Sequence, residues 1–295
     1  MNVCTLCPRC CGAERGTTGG SGYCRMGSLA TIARAALHFD EEPVISGTRG
    51  SGTIFFSGCS LGCVYCQNEA ISRGGAGVQV SPAGLRRSID ALIAQGAHNI
   101  NLVTAGHFLD AVIEALTPKP DIPVVWNSSG YETADAIRRL DGYVDIYLPD
   151  LKYSDARGAR QYSNAPDYPD VAGAAIAEMR RQVGPAIIGA DGVMRRGLMI
   201  RHMILPGRAR ESEAALTWIR DHLPDDVWVS LMAQYVPTES AARMPPLDRR
   251  ISRREYDRVA DHMLSLGFEN GYIQERTAAR QGYVPAFDMT GVYYE

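Results

Sequence analysis

Six short runs dominated by apolar residues recur along the chain, at 52–58, 99–106, 122–130, 144–152, 198–207 and 227–235. Each is nearly continuous in hydrophobic side chains rather than alternating, as parallel strands covered on both faces must be. Between them lie segments of helical period with readable ends. Ser81 and Pro82 suit an N-cap and first turn; Leu85, Ile89, Leu92 and Ile93 mark one face, and Gly96 suits the exit. Leu109, Val112, Ile113 and Leu116 form a second stripe that stops before Pro118. Ser252 and Glu255 make a capping-box pattern ahead of Tyr256, Val259, Met263 and Leu266, with Gly267 beyond. Strand and helix alternating in this way imply an α/β fold of βα units with right-handed crossovers. Six units are too few for the usual closed eight-stranded barrel. An open, partial barrel and a doubly wound sheet both satisfy the pattern, and in either the chemistry belongs at the C-terminal strand ends.

A chain of 295 residues, 45% hydrophobic, buries one large core, with or without a small appendage. Residues 154–197 are less regular, with a helical stretch near 170–183 and a hairpin expected around Asp191-Gly192. The Pro-rich, polar segment 236–250 is a candidate lid. The net charge of −3 suggests neither nucleic acid nor a membrane surface as partner. With no apolar leader and no long apolar run, a soluble, cytoplasmic protein is expected. The arginine-rich stretch 242–258 is interleaved with Asp248, Glu255 and Asp257, so it reads as a solvated face.

All eight cysteines fall between residues 4 and 66. Disulfides that staple a secreted domain would spread over the whole chain, so this crowding reads as metal or cluster ligation in a reduced compartment. Cys59, Cys63 and Cys66 stand at C-x3-C-x2-C directly after the first apolar run. Three thiolates on one tight loop can wrap a cuboidal iron–sulfur cluster whose fourth iron stays open for another ligand. Gly58 and Gly62 let the backbone bend around the inorganic core. The bland alternative is a non-enzymatic, zinc-binding scaffold whose loop is completed by a distant ligand.

This loop, its place after the first strand and the "YCQN" that ends it resemble the signature of the radical S-adenosylmethionine superfamily. The resemblance implies a [4Fe-4S] cluster on Cys59, Cys63 and Cys66. Its open iron would chelate S-adenosylmethionine, whose reductive cleavage yields a 5′-deoxyadenosyl radical that abstracts a substrate hydrogen. "CTLCPRCCGAER", "FFSGCSLGCVYCQN", "NLVTAGHF", "VDIYLPDLKY", "IRHMILPG", "LMAQYVP" and "GYIQE" are similar to pyruvate formate-lyase activating enzyme-like proteins, over essentially Cys4 to Val292. The implied fold is a partial (β/α)6 TIM-type barrel over 51–295, with a cysteine-rich metal- or cluster-binding extension at 1–50. The implied activity is an oxidoreductase one, with glycyl-radical activation of a protein, or modification of another peptide or a small metabolite, as its outcome. The implied partners are an electron donor such as flavodoxin or ferredoxin and a protein or peptide substrate.

Site residues follow by the same resemblance. Tyr65 would lie near the adenine, and Asn68 near polar groups of the cofactor. Thr104, Ala105 and Gly106 stand where the superfamily usually has a Gly-Gly-Glu segment; their backbone would serve, but the acid is missing. Asn127 and Ser129 close the third run and suit ribose or carboxylate binding, although activating enzymes usually carry Asp near Asn127 as part of a cation site. Asp150 and Lys152 match an Asp-x-Lys pair that contacts cofactor and substrate; two apart on a strand, they share a face. Arg201 interrupts an apolar strand and therefore needs a partner, for which the methionine carboxylate fits. Gln234 would reach the ribose. Relatives usually read C-P-R-x-C-G, which assigns Cys4, Cys7, Cys11 and Cys24 as ligands and leaves Cys10 over. A closed zinc site and a second [4Fe-4S] cluster both suit that set.

Overall fold

The computed structural model describes residues 3–17, 19–279 and 284–294. Its ten strands are β1 (Ala30–His38), β2 (Ser51–Phe56), β3 (Val78–Val80), β4 (Ile100–Val103), β5 (Val124–Ser128), β6 (Ile146–Pro149), β7 (Ile187–Ile188), β8 (Met194–Met203), β9 (Trp228–Met232) and β10 (Gly271–Ile273). They form one sheet in the order β10-β9-β8-β6-β5-β4-β2-β1-β3, with β7 paired to β8. From β2 to β10 every neighbouring pair on this path is parallel, while β1 and β3 are antiparallel additions at the β2 edge. The path does not return on itself, so the architecture is an open, partial TIM-type barrel.

All six apolar runs became parallel strands. Val125, Ile146, Leu148 and Met199 bury one face of the sheet, and Leu102, Trp126, Tyr147 and Ile200 the other. Four strands, β1, β3, β7 and β10, carry no such run. β1 is rich in alanine, which favours helix in isolation; it is a strand because Ile32, Ala33 and Ala35 are buried against β2. β10 is only three residues long, extending the parallel order by pairing with β9.

The helix ends follow their local chemistry. Ser81 Oγ accepts from Gly84 N–H at 3.1 Å ahead of the helix Pro82–Ala94. The capping box of Ser252 and Glu255 is complete at the start of the helix Arg253–Ser265. The turn through Asp191-Gly192 joins β7 to β8. Segment 236–250 packs inward: Thr238 Oγ1 donates to Val64 O at 2.9 Å, and Tyr235 donates to Leu247 O at 2.6 Å. Among the described residues no helix is long and apolar enough to cross a membrane.

Leu102 is fully buried in β4, between β2 and β5. Leu102→Ala removes three buried carbons there and leaves a cavity that strands on both sides cannot close. A loss of about 2–5 kcal/mol is expected in denaturant unfolding. A loss under about 1 kcal/mol would mean that the sheet centre repacks freely.

Candidate active site

The C-terminal ends of the parallel strands open into a cavity of about 730 Å³. Cys59, Cys63 and Cys66 line it, as do Asn127, Asp150, Lys152 and Arg201 from the strand ends. The cysteine loop begins at Gly58, whose φ of +81° no side chain adopts cheaply and whose added Cβ would come within 3.0 Å of Cys24 O. Each of the three sulfurs accepts at least one hydrogen bond. Leu61 N–H donates to Cys59 Sγ at 3.3 Å, Ser163 Oγ to Cys63 Sγ at 3.0 Å and Ser72 Oγ to Cys66 Sγ at 3.3 Å. Burial raises the Cys59 thiol, and the neighbouring Cys63 adds to it; burial pushes Cys66 up to about 11, again with Cys63 as the leading neighbour. Three electrostatically linked thiols, each offered a donor, make a set suited to thiolates neutralised by a metal cluster. They fit the cluster that the loop spacing implies.

Opposite the loop lies a polar network. Asp150 Oδ2 pairs with Lys152 Nζ at 2.6 Å and Asp150 Oδ1 with Arg201 Nε at 3.0 Å. Arg201 also donates to Glu41 Oε2 at 3.1 Å and to Asn127 Oδ1 at 2.7 Å. Glu41 Oε1 in turn accepts from Asn127 and Asn101, both at 3.1 Å. Burial alone would raise Asp150, but Lys152 and Arg201 outweigh it and hold the carboxyl below its usual range. Burial likewise opposes the charge on Lys152, and Asp150 reverses that, so the ammonium is kept. Glu42 is different: burial lifts its carboxyl against the pull of Arg201, and its Oε2 is buried without a partner.

The other expected residues are placed as follows. Tyr65 lines the cavity and makes edge contacts with Tyr153 and Tyr235, at 6.4 and 6.2 Å between ring centres. Asn68 lines it too and heads the short helix Glu69–Ser72. Thr104 sits at φ +61°, a left-handed conformation rare for a β-branched residue, and borders the cavity at the end of β4. Ala105 is buried, and Gly106 lies against the buried Glu132 carboxylate, where a Cβ would come within 2.5 Å of Oε1. His107 turns away, with Nε2 2.7 Å from Ser57 O; burial lowers it to about 4, so the neutral ring donates there. Ser129 Oγ accepts from Tyr131 N–H at 3.4 Å in the turn after β5. Gln234 lines the cavity and its Oε1 accepts from Gln274 at 3.0 Å.

Sequence reasoning did not reach Glu41, Glu42, Asn101 or Tyr168. The Tyr168 hydroxyl accepts from Lys152 N–H at 2.9 Å and lies 2.7 Å from Ser129 O and 2.8 Å from Asp150 O, tying two strand ends together. The acidic run 40–42 was the one available signal, and it gains meaning only once β1 is known to deliver it under the sheet.

The N-terminal thiols form a second group. Backbone bonds Cys4 N–H to Ala13 O (3.1 Å) and Gly12 N–H to Cys4 O (3.3 Å) fold residues 3–14 back on themselves. Burial raises Cys7 to about 11; Cys24, Cys4 and Cys11 all lie close enough to add to that rise. Cys10 is exposed, with Sγ 3.6 Å from Cys7 O.

Asp150→Asn keeps the shape of the network but removes the carboxylate charge shared by Lys152 and Arg201. Breaking such a pair costs about 3–5 kcal/mol, expected as a fall in unfolding free energy at pH 7. Because Asp150 titrates below the ordinary carboxyl pKa, its contribution is present above about pH 4 and lost as pH falls through the lowered value. The difference between wild type and variant should therefore shrink in acid; a gap equal at pH 7 and pH 3 would contradict this role.

Residues 53–219, more than half of the chain, match the family model described as the radical SAM superfamily. An uncharacterised protein of Methanocaldococcus jannaschii is 28% identical over 269 residues, covering 88% of this chain and 73% of that protein. Among solved structures, Streptococcus suis SuiB bound to the precursor peptide SuiA aligns at a TM-score of 0.48 and 11% identity, over 74% of this chain and 47% of SuiB. The chain thus spans about half the length of SuiB. A spore photoproduct lyase variant with bound AdoMet and dinucleoside spore photoproduct aligns at 0.46 and 15% identity, over 74% of each chain. With a family match that takes in the three-thiol loop and most of the strand ends facing it, this chain belongs to the radical S-adenosylmethionine superfamily.

Proposed function

We propose that the protein cleaves S-adenosylmethionine reductively and abstracts a hydrogen atom from a protein or peptide segment, a backbone glycine being the target that the activating-enzyme resemblance implies. The observation that carries the reading is that three hydrogen-bonded thiols and a buried Asp–Lys–Arg network face one cavity from opposite sides. Cys59, Cys63 and Cys66 would hold a [4Fe-4S] cluster, which when bound would supply one-electron reducing chemistry for the cleavage.

The chain's own residues do the rest. Lys152 keeps its proton and offers cavity-facing N–H groups, since Asp150 takes only one of them at 2.6 Å. Arg201 is held by Glu41, Asn127 and Asp150, so its charge fixes the cavity wall rather than swinging with a ligand. Tyr65, Phe55, Phe56 and Leu61 supply apolar surface beside the thiols, which limits water around a reactive carbon radical. The open edge of the sheet suits entry of a chain segment. Eight free cysteines favour a reducing, cytoplasmic setting, with a flavodoxin- or ferredoxin-type donor for the electron.

Protein purified and reconstituted without oxygen should release 5′-deoxyadenosine and methionine from S-adenosylmethionine when dithionite is added. Cys59→Ser, Cys63→Ser and Cys66→Ser should each abolish that release. Fully loaded wild-type protein that forms no 5′-deoxyadenosine would overturn the reading.

A further inference from the structure

The parallel run of strands ends at β10, and that end borders the cavity. Among the described residues β10 pairs with β9 alone, so its other edge carries no strand. Val229 N–H donates to Asn270 O at 3.2 Å, and Gln274 N–H to Leu231 O at 2.9 Å. Backbone groups of successive strand residues point to opposite sides. Residues 270, 272 and 274 therefore turn toward β9, while Gly271 and Ile273 turn their N–H and C=O outward. Among the described residues the outward groups of Ile273 meet no hydrogen-bond partner. The edge is also held in place, because Gln274 Oε1 accepts from Ala233 N–H at 2.9 Å. Across the gap left by the open barrel stand Phe55 of β2 and the exposed Asp40, just beyond β1. Both line the same cavity as Tyr272, Ile273 and the three thiols.

We propose that β10 receives an extended substrate segment as an added strand, lying in the gap of the barrel with a basic side chain toward Asp40. The inference rests on the reading above, that the substrate is a protein or peptide, and names how that segment is held. Three features favour it. An unpaired strand edge is a template for another extended backbone, and sheets usually guard such edges with charge or proline. Gly271, Tyr272 and Ile273 supply neither. The edge opens onto the cavity rather than onto the outer surface. Alternate residues of an added strand would face inward, so the segment presents one position to the side where the thiols lie. Finally, charge complementarity selects the segment. Asp150 and Glu41 are taken up by Lys152 and Arg201, whereas Asp40 stands exposed at the mouth beside His38. A carboxylate so placed attracts a cationic side chain and repels an acidic one.

The probe is a capped heptapeptide with a central glycine and arginines at alternate positions. Two companions accompany it, one with glutamine in place of arginine and one with alternate backbone amides methylated. Each is titrated calorimetrically into the full-length protein, with and without S-adenosylmethionine and without reductant. Backbone methylation should weaken binding at least about tenfold, since it removes the donors that pair with the edge. Ile273→Pro should weaken the parent peptide by a similar factor and leave the methylated one unchanged. Proline is tolerated at an edge where the lost N–H serves no ladder, and an unfolding midpoint near that of wild type reports this. Asp40→Asn should weaken the arginine peptide about threefold and leave the glutamine peptide within error. Equal affinity for parent and methylated peptides, or no saturable binding up to about 5 mM, would overturn the proposal. So would self-association of wild type that Ile273→Pro abolishes, because a second copy would then own the edge. Should Ile273→Pro fail to fold, the methylated peptide decides alone. Failure of wild type to form 5′-deoxyadenosine with dithionite would instead strike the radical reading, leaving the titrations to judge this edge.

Discussion

Arg201 is the residue on which the interior depends. It stands on β8, and its guanidinium binds Asp150 beyond β6, Asn127 on β5 and Glu41 from the chain after β1. Glu41 passes the connection to Asn101 on β4. One cation thereby links four parallel strands and the segment leading into the sheet. Charges so little exposed are costly to desolvate, and a well-packed apolar set would often serve stability as well or better. Retaining the network makes sense for an open barrel whose strand ends must stay in register around a cavity. An apolar plug would fill the space that a ligand needs.

The same reasoning separates the two thiol groups. Cys59, Cys63 and Cys66 face the cavity and are shielded by Tyr65, Tyr153 and the inward-packed segment 236–250. Cys4, Cys7, Cys11 and Cys24 lie on the outside of the loop, joined to it by Arg9 and Tyr23. Each set has its own environment, and the wall between them is thin enough for Cys24 and Cys59 to share a pocket.

Much of this was legible in the sequence, for identifiable reasons. Parallel strands announce themselves because both faces are buried, so all six apolar runs reappear as strands. Asp150 and Lys152 were expected on one face of a strand; they lie just beyond β6 and do meet, at 2.6 Å. The need of Arg201 for partners was also readable, since a cation in an apolar run is never left alone. Their identity was not: Glu41 lies 160 positions away, on a segment delivered by an alanine-rich strand whose local preference is helical. Tyr168 was hidden too, because its hydroxyl acts on backbone groups just beyond β5 and β6 and leaves no pattern in its own helix.

The three-thiol loop is not held by its own turn alone. Its order comes from distant segments. Val64 N–H donates to Tyr162 O at 2.9 Å, Thr238 binds Val64 O, and Ser163, itself fixed by Tyr153 at 2.6 Å, reaches Cys63. Arg9 adds contacts from the opposite side. The loop is therefore gripped by the N-terminal hairpin, the helix Ala156–Ser163 and the segment after β9. Support of this kind sets ligand orientation before any metal arrives, so less conformational entropy is lost on loading. It also explains why a three-cysteine motif of eight residues needs nearly the whole chain to make it a site.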